Sequence, residues 1–335
     1  MNLKHQRNFI QILAAALIGT CLAWPAQAQV AVAIGTAKDP NLAAQLQIAS
    51  AKGYFSEVGI DATISDFPSG GDMMAAFVGG SVQMATAGST PVLLLASRPY
   101  PIAIVSQISD ISGAQQLLVH DDVNTLEELY GKKIGMLKGT ASEALFNSIV
   151  RDYGLDAGKF ETVNLGPTEM LTAFVRKQVD AVALWEPHST RAREAGSGKT
   201  LVSGTRSFIP GKEEARRVYG DHAVLFTSEE FAKSNKETVE KVITALAKAN
   251  DYLRTNREEA VAVLAEAFQL TPDQMNDIVD VNDYTLAIND QMVGDMNSLG
   301  AFLAAQGKTA EGLEVRNWIN TDALHAVNPD LVEIK

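Results

Sequence analysis

The fold is decided by residues 52–91, which read KGYFSEVGIDATISDFPSGGDMMAAFVGGSVQMATAGSTP. An aromatic–glycine turn leads into a β-like run over residues 60–67, and a proline–glycine loop leads into a helical pattern over residues 71–78. Two glycines close that helix, and a short apolar strand over residues 83–87 follows. Strand, helix and strand in this order predict an α/β fold with a mostly parallel sheet.

The same plan returns in residues 146–184, which read FNSIVRDYGLDAGKFETVNLGPTEMLTAFVRKQVDAVAL. Each copy has an aromatic–glycine turn, a strand, a glycine–proline loop, a helix and a second strand. One supersecondary plan used twice predicts two α/β lobes, and a strand over residues 222–227 would return the chain to the first lobe. Helical patterns then follow, and we expect them to pack on the first lobe; they cover residues 229–255, 258–268 and 272–279.

The N-terminus predicts an export signal. Lys4 and Arg7 precede an apolar run over residues 9–24, and Ala26-Gln27-Ala28 supplies the small residues that a signal peptidase requires. The run is too short and too interrupted for a membrane span. We therefore predict that residues 1–28 are removed during secretion.

Charge, cysteine content and the lack of catalytic motifs argue against several classes of partner and site. The formal net charge is −12, and removal of the signal makes it more negative, which disfavours nucleic acid and anionic membranes as partners. Cys21 is the only cysteine and would leave with the signal, so the mature chain has no disulfide, thiolate ligand or cysteine nucleophile. The five histidines are scattered, and no HExxH, P-loop, GxSxG or GxGxxG pattern is present. We expect no metal, no cofactor and no catalytic residue.

These residues, in order, resemble the SsuA/TauA/NMT1-like solute-binding proteins. Residues 52–91 carry Lys-Gly-Tyr-Phe, Glu-x-Gly-Ile, Ser-Gly-Gly and Gly-Ser-Thr-Pro, and two later stretches match the same pattern: LYGKKIGMLKGTASE at residues 129–143 and VRKQVDAVALWEP at residues 175–187. The resemblance covers nearly the whole mature chain. It implies the type II periplasmic-binding-protein fold, in which two α/β lobes are joined by two crossover strands and the ligand lies in the cleft.

The resemblance also implies an organisation and a role. Such proteins are monomeric periplasmic subunits of ABC importers, which capture a small molecule and deliver it to a permease of the inner membrane. Closure by bending of strands near residues 115–120 and 220–225 would cover the ligand. The expected divisions are a signal peptide at residues 1–28, the first lobe at residues 29–118 and 221–335, and the second lobe at residues 119–220.

Two helix N-termini are the first candidates for the ligand site. Gly88-Ser89-Thr90-Pro91 and Gly139-Thr140-Ala141-Ser142 each follow a predicted strand, so both helices should begin at the carboxyl edge of a sheet. Helix N-termini present unpaired N–H groups and a partial positive charge, which suit an anion. The hydroxyls of Ser89, Thr90, Thr140 and Ser142 would add donors. Ordinary N-capping explains the same residues equally well, and Thr140 with Glu143 has the spacing of a capping box.

The loop after the first strand supplies Thr36, Lys38 and Asp39. In members of the resembled family this loop faces the cleft, and Asp39-Pro40 resembles the Glu-Pro of taurine-binding members. Lys38 would neutralise an anion, or Asp39 would pair with an ammonium group. The alternative is a solvated turn, since Asp-Pro is a common turn dipeptide.

Four candidates lie near strand ends in the second half of the chain. Trp185 would wall the pocket or pack in the core, and Glu186 would hold an amine or order the hinge. Taurine-binding members carry an acidic residue near the return to the first lobe. An ungapped alignment places Ala223 there, with Asp221 two residues away, which departs from the taurine pattern. His222 is a candidate contact or a structural histidine.

The ligand class follows from what these positions lack. Carboxylate-binding sites often use a bidentate arginine, and no arginine falls on the candidate positions. We therefore expect a sulfonate held by neutral donors, unless Arg98, Arg191 or Arg206 reaches the cleft. Nitrate, an aromatic carboxylate and a pyrimidine-type heterocycle are the alternative ligands. An enzyme is the remaining alternative, although the related branch that makes a thiamine pyrimidine needs a cysteine-rich motif, which the mature chain lacks.

Overall fold

The structure is a computed structural model that describes residues 28–67, 70–196 and 198–334. The predicted signal peptide lies outside the described residues except for its last position. Within the described ranges, no helix is long and apolar enough to cross a membrane. The same ranges contain no group of three His, Cys, Asp or Glu side chains placed to hold a metal ion.

The strands belong to two large sheets and one small one. The described strands are β1 (Val30–Ala37), β2 (Ile60–Phe67), β3 (Met84–Ala87), β4 (Ile102–Asp110), β5 (Gln115–His120), β6 (Lys133–Met136), β7 (Glu161–Asn164), β8 (Ala181–Trp185), β9 (Gly198–Ser203), β10 (Arg206–Ser207), β11 (Glu214–Ala215), β12 (His222–Ser228), β13 (Ile288–Asn289) and β14 (Val332–Glu333).

Helices cover both large sheets. The described α-helices are α1 (Pro40–Ala51), α2 (Tyr54–Glu57), α3 (Gly70–Val78), α4 (Ser89–Ala96), α5 (Ala141–Asp152), α6 (Pro167–Val175), α7 (His188–Gly196), α8 (Glu229–Ser234), α9 (Lys236–Thr255), α10 (Arg257–Phe268), α11 (Pro272–Val281), α12 (Asp290–Ala305) and α13 (Asp322–Val327).

The first sheet has the strand order β2-β1-β3-β12-β4. β1 is parallel to β2 and β3, whereas β12 is antiparallel to β3 and β4. The second sheet has the order β11-β10-β9-β5-β8-β6-β7, in which β6 is parallel to β7 and β8 and β5 is antiparallel to β8 and β9. The expectation of a mostly parallel sheet is therefore wrong, because β5 and β12 enter from the other sheet and run against their neighbours.

The chain passes between the sheets at residues 111–114 and again at residues 216–221. These two crossover segments contact each other: Ile111 N–H donates to the Asp221 carbonyl oxygen at 3.0 Å, and the Arg217 guanidinium donates to Asp110 at 2.9 Å. β5 and β12 are paired on both sides inside the sheets, and bending near residues 115–120 and 220–225 stays a prediction. The lobe boundaries remain a prediction.

The C-terminal helices pack on the first sheet, where α9 and α10 contact α1. The buried face of α9 repeats every three or four residues, with Val239, Val242, Ile243 and Leu246 all fully buried. Each such side chain contributes roughly 1.5–3 kcal/mol through burial. The single helix predicted over residues 229–255 is two helices, because the chain leaves helical geometry at Asn235 (φ −126°, ψ 37°).

Candidate functional site

One large cavity of about 780 Å³ lies where β1, β3, β6 and β8 end, between the carboxyl edges of the two large sheets. Open α/β sheets bind ligands at this edge. Six of the predicted site residues line it: Lys38, Asp39, Thr90, Thr140, Trp185 and Asp221. We call it the central cavity. Its apolar walls include Leu42, Phe67, Leu94, Ile111, Leu137 and Phe268.

Asp39 and Asp221 form an acidic side of the central cavity. The Asp39 carboxylate caps α1 by accepting from Asn41 N–H at 2.8 Å. Burial raises the pKa of Asp39 to about 7, and nearby Glu186 and Asp221 add to the rise, although part of the Asp39 side chain still faces the open cavity. Burial likewise raises the pKa of Asp221 to about 6. Two carboxylates that are costly to ionise would both be stabilised by a ligand cation.

The N-terminus of α4 already holds an anion of the protein itself. Ser89 N–H donates to Asp221 Oδ1 at 3.1 Å. The Ser89 hydroxyl donates to the His222 carbonyl oxygen at 3.1 Å and accepts from His222 N–H at 2.9 Å, so it joins α4 to β12 and does not line the cavity. A second anion at this helix end would meet the Asp221 carboxylate. The two predicted helix ends are therefore not equivalent.

The N-terminus of α5 also holds a carboxylate of the protein, since Gly139 N–H donates to Glu143 Oε2 at 2.7 Å, but Glu143 does not line the cavity as Asp221 does. Thr140 and Ala141 line the cavity, and the Ala141 N–H has no acceptor within its own helix. Thr140 Oγ1 donates to the Leu137 carbonyl oxygen at 2.8 Å and accepts from Ser142 N–H at 3.3 Å, as an N-cap does. The Ser142 hydroxyl donates to the Ala183 carbonyl oxygen at 2.6 Å, and its side chain is buried beneath the helix end.

Helix α7 brings a cation to the cavity that sequence reasoning did not place. Arg191 and His188 both line the cavity, and Arg191 makes no ion pair with any described residue. Burial lowers the pKa of His188, and the Arg191 charge lowers it further, so His188 is neutral near pH 7. His188 meets Trp185 edge to face, with ring centroids 5.9 Å apart. Arg191 is one of the three arginines named as exceptions, and it reaches the cavity because α7 begins immediately after Pro187, so the argument for neutral donors from the lack of an arginine does not hold.

Thr36, Glu186 and His222 lie beside the cavity without lining it. Thr36 Oγ1 pairs with Thr86 Oγ1 at 2.7 Å. The Glu186 side chain is 1% exposed, and its carboxylate binds the Arg193 guanidinium at 3.2 Å, so it points into the protein and away from the cavity. His222 Nε2 lies 2.8 Å from Asp295 Oδ2, which also binds Arg217. These three side chains stabilise the walls through contacts within the protein.

Sequence reasoning missed several polar groups at the cavity, among them Gln115 and Gln269. Both Thr90 and Gln115 line the cavity; Thr90 lies beside the Tyr219 hydroxyl, whereas Gln115 Oε1 is buried with no hydrogen-bond partner among the described residues. A buried polar atom left unpaired costs about 1–3 kcal/mol, so Gln115 Oε1 is a natural contact for a polar ligand. The sequence marked Gln115 only as the start of a strand. The direction of its side chain depends on how the crossover segment before it enters the second sheet.

The family model described as NMT1/THI5 like matches residues 40–260, which is more than half of the chain. The chain belongs to the NMT1/THI5-like family. Among curated proteins, a binding protein of Brucella abortus is 25% identical to this chain over 219 residues. The match covers 65% of this chain and 66% of that protein, so the chain spans slightly less than two thirds of that relative's length. The taurine-binding periplasmic protein of Escherichia coli K12 is 29% identical over 167 residues, covering 50% of this chain and 51% of that protein.

Solved structures agree on the fold of this NMT1/THI5-like chain. The crystal structure of the periplasmic aliphatic sulphonate binding protein SsuA from Escherichia coli superposes with a TM-score of 0.74 at 20% identity, covering 87% of this chain and 97% of that one. The fold is therefore that of the periplasmic binding proteins, as the sequence resemblance implied. A yeast relative from Saccharomyces cerevisiae, named as a hydroxymethylpyrimidine phosphate synthase, is 24% identical over 242 residues, covering 69% of this chain and 68% of that protein.

Proposed function

We propose that this protein is the periplasmic solute-binding subunit of an ABC importer, and that it captures a small organic anion with a sulfonate-like head group and an amino group. The observation that carries the proposal is the opposed charge of the central cavity. Asp39 and Asp221 lie on the first sheet's side together with the exposed Lys38, whereas Arg191 and the N-terminus of α5 lie on the second sheet's side. A zwitterion placed between them would satisfy both sides at once.

The acidic head group fits the second sheet's side. Arg191 supplies a charged donor without an internal ion pair, and Ala141 N–H points from the N-terminus of α5. The ammonium group fits the side of Asp39 and Asp221, whose pKa values lie at about 7 and about 6. A cation between these carboxylates favours their ionised forms, so its binding would lower both pKa values and release any proton that the carboxyl groups hold. The name of the taurine-binding relative supports a ligand with both groups.

The size of the cavity favours a ligand longer than taurine. A cavity of about 780 Å³ lies in the upper part of the range of roughly 300–1,000 Å³ that holds drug-sized ligands. Leu42, Leu94, Leu137 and Phe268 would cover the methylene groups of a longer chain. We therefore extend the ligand class to N-substituted and longer-chain aminosulfonates.

One specific observation favours a second ligand class. The guanidinium fork of Arg191 matches a carboxylate as well as a sulfonate, so a small amino acid with a separated amine is the alternative. The importer role is the same for both ligands. A matched pair of compounds that differ only in the head group separates them.

Capture would proceed by closure of two lobes, with the first lobe at residues 29–118 and 221–335 and the second at residues 119–220. Three hydrogen bonds join elements of the two sheets around the cavity. Asn41 Nδ2 donates to the Glu186 carbonyl oxygen at 2.7 Å, Gln274 Nε2 donates to Glu194 at 2.6 Å, and Lys308 Nζ donates to Glu143 at 3.3 Å. A ligand that bridges both sides adds to these contacts and shifts the equilibrium toward the closed form.

The test is isothermal titration calorimetry on residues 29–335 with a panel of matched compounds. Taurine, isethionate and propanesulfonate vary the amine, β-alanine replaces the sulfonate of taurine by a carboxylate, and MOPS is a larger sulfonate with a tertiary amine. The proposal predicts that taurine or MOPS binds at least tenfold more tightly than isethionate and propanesulfonate. Preference for β-alanine over taurine would support the amino-acid alternative. Equal binding with and without the amine, or no binding by any compound, would contradict the proposal.

A further inference from the structure

Gln269 has a backbone conformation that its side chain disfavours. It follows the last residue of α10 in the left-handed region, at φ 56° and ψ 48°. The turn is closed by two backbone hydrogen bonds, from Gln269 N–H to the Glu266 carbonyl oxygen at 3.3 Å and from Leu270 N–H to the Ala265 carbonyl oxygen at 2.9 Å. Glycine is the usual residue at this position because it has no Cβ to clash. The chain keeps a long polar side chain here instead.

Gln269 lines the central cavity, next to the buried Phe268. Its side chain is exposed, and its amide makes no hydrogen bond to any residue that the structure describes, so the amide is free to meet a ligand in the cavity. Gln269 also lies beyond residues 40–260, the part of the chain that the family model matches.

Lys177 provides a comparison within the same chain. It follows α6 at φ 54°, and its turn is closed by the same pair of bonds, from Lys177 N–H to the Phe174 carbonyl oxygen at 2.9 Å and from Gln178 N–H to the Ala173 carbonyl oxygen at 2.8 Å. Lys177 and Gln269 are both exposed, and only Gln269 lines the cavity. The two positions therefore share the backbone strain and differ in their access to a ligand.

We propose that Gln269 determines ligand specificity by donating its amide N–H to the acidic head group that Arg191 binds. The inference rests on the proposed function and adds one residue to that site. The neighbouring helix indicates which part of the ligand Gln269 would reach. Gln274 of α11 bonds Glu194 of α7, so this part of the chain lies against the helix that carries Arg191. The amide would bind when the two lobes close.

The experiment compares Gln269→Gly, Gln269→Glu and Lys177→Gly with the wild type, using taurine and MOPS as probes. Calorimetry gives Kd, and thermal unfolding without ligand gives Tm. Release of the left-handed strain should raise Tm by about 1–3 °C in both glycine variants. Gln269→Gly should weaken binding roughly threefold to tenfold, the loss of one neutral hydrogen bond. Gln269→Glu should weaken it by more than about tenfold, because a carboxylate repels the head group. Lys177→Gly should leave Kd unchanged within about twofold.

The outcomes separate this inference from the proposed function. If the wild type binds neither probe, both are wrong. If the wild type binds but Gln269→Gly and Gln269→Glu bind equally well, the proposed function stands and the role of Gln269 is wrong. Tighter binding by Gln269→Glu would mean that the side chain faces the ammonium group, which overturns the inference. A fall in Tm for Gln269→Gly, beside a rise for Lys177→Gly, would make Gln269 structural and overturn it as well.

Discussion

Replacing Arg191 by glutamine should remove most of the affinity for the acidic head group. Arg191 lines the cavity and has no ion pair with a described residue, so the change leaves no internal charge unpaired. A hydrogen bond between charged groups is worth about 1.5–3 kcal/mol, which corresponds to a rise in Kd of roughly 10-fold to 150-fold. Because part of the guanidinium is exposed to the open cavity, we expect a value in the lower half of this range.

The assay is calorimetry with taurine and MOPS at two salt concentrations, together with thermal unfolding. Arg176→Gln is the matched control, since Arg176 is exposed and outside the cavity and loses the same charge. The control should keep Kd within about twofold of the wild type, and Arg191→Gln should keep Tm within about 1 °C. A Kd for Arg191→Gln within about threefold of the wild type, with the control unchanged, would refute the assignment of the head group to Arg191.

Three further predictions concern neighbouring groups. Burial raises the pKa of Asp39 to about 7, so the folded state binds a proton that the unfolded state releases near pH 4, and the stability of the ligand-free protein falls as pH rises from about 4 to about 7. Asp39→Asn should remove the Asp39 part of that fall and leave the part from Asp221, whose pKa is raised to about 6; it should also raise Tm at pH 8 by a few degrees and weaken the preference for amines, and an unchanged pH–Tm profile would contradict this. Ser89→Ala should lower stability by about 1–3 kcal/mol, because the hydroxyl is bonded twice to the backbone of His222, and a loss of affinity without a loss of Tm would show a ligand contact instead. Lys308→Met should weaken binding about twofold to fivefold by removing the ion pair with Glu143 that joins elements of the two sheets, and a double-mutant cycle with Glu143→Gln that shows no coupling would exclude this role.

The elements with strong hydrophobic patterns were predictable from the sequence. The bounds of β2 were predicted without error, and β3 and β12 lie within one residue of their predicted ends. Helix α7 was missed because its sequence, HSTRAREAG, has few apolar residues to mark a buried face. Its short length and its position after Pro187 are determined by packing against β8 and β9, which the local sequence does not encode.

The candidate site was predictable as a location but not as a set of contacts. Asp39 and Thr140 were placed at the cavity because each follows a strand, and the carboxyl ends of parallel strands meet at one edge. Asp221 lies there because it precedes β12, which is antiparallel to β3 and therefore begins at that edge. Ser89 and Ser142 have the same residue type but bond backbone carbonyl oxygens of neighbouring strands. That difference depends on which strand lies beside each helix end, and strand order is a property of the tertiary fold.

The orientation of the ligand is the central claim, and a crystal structure of residues 29–335 with taurine or MOPS, whichever binds more tightly, tests it most directly. We predict sulfonate oxygens within about 3.2 Å of Ala141 N and the Arg191 guanidinium, and the amine within about the same distance of Asp39 or Asp221. A ligand bound in the reverse orientation, or with its sulfonate at the N-terminus of α4 beside Ser89, would contradict the account.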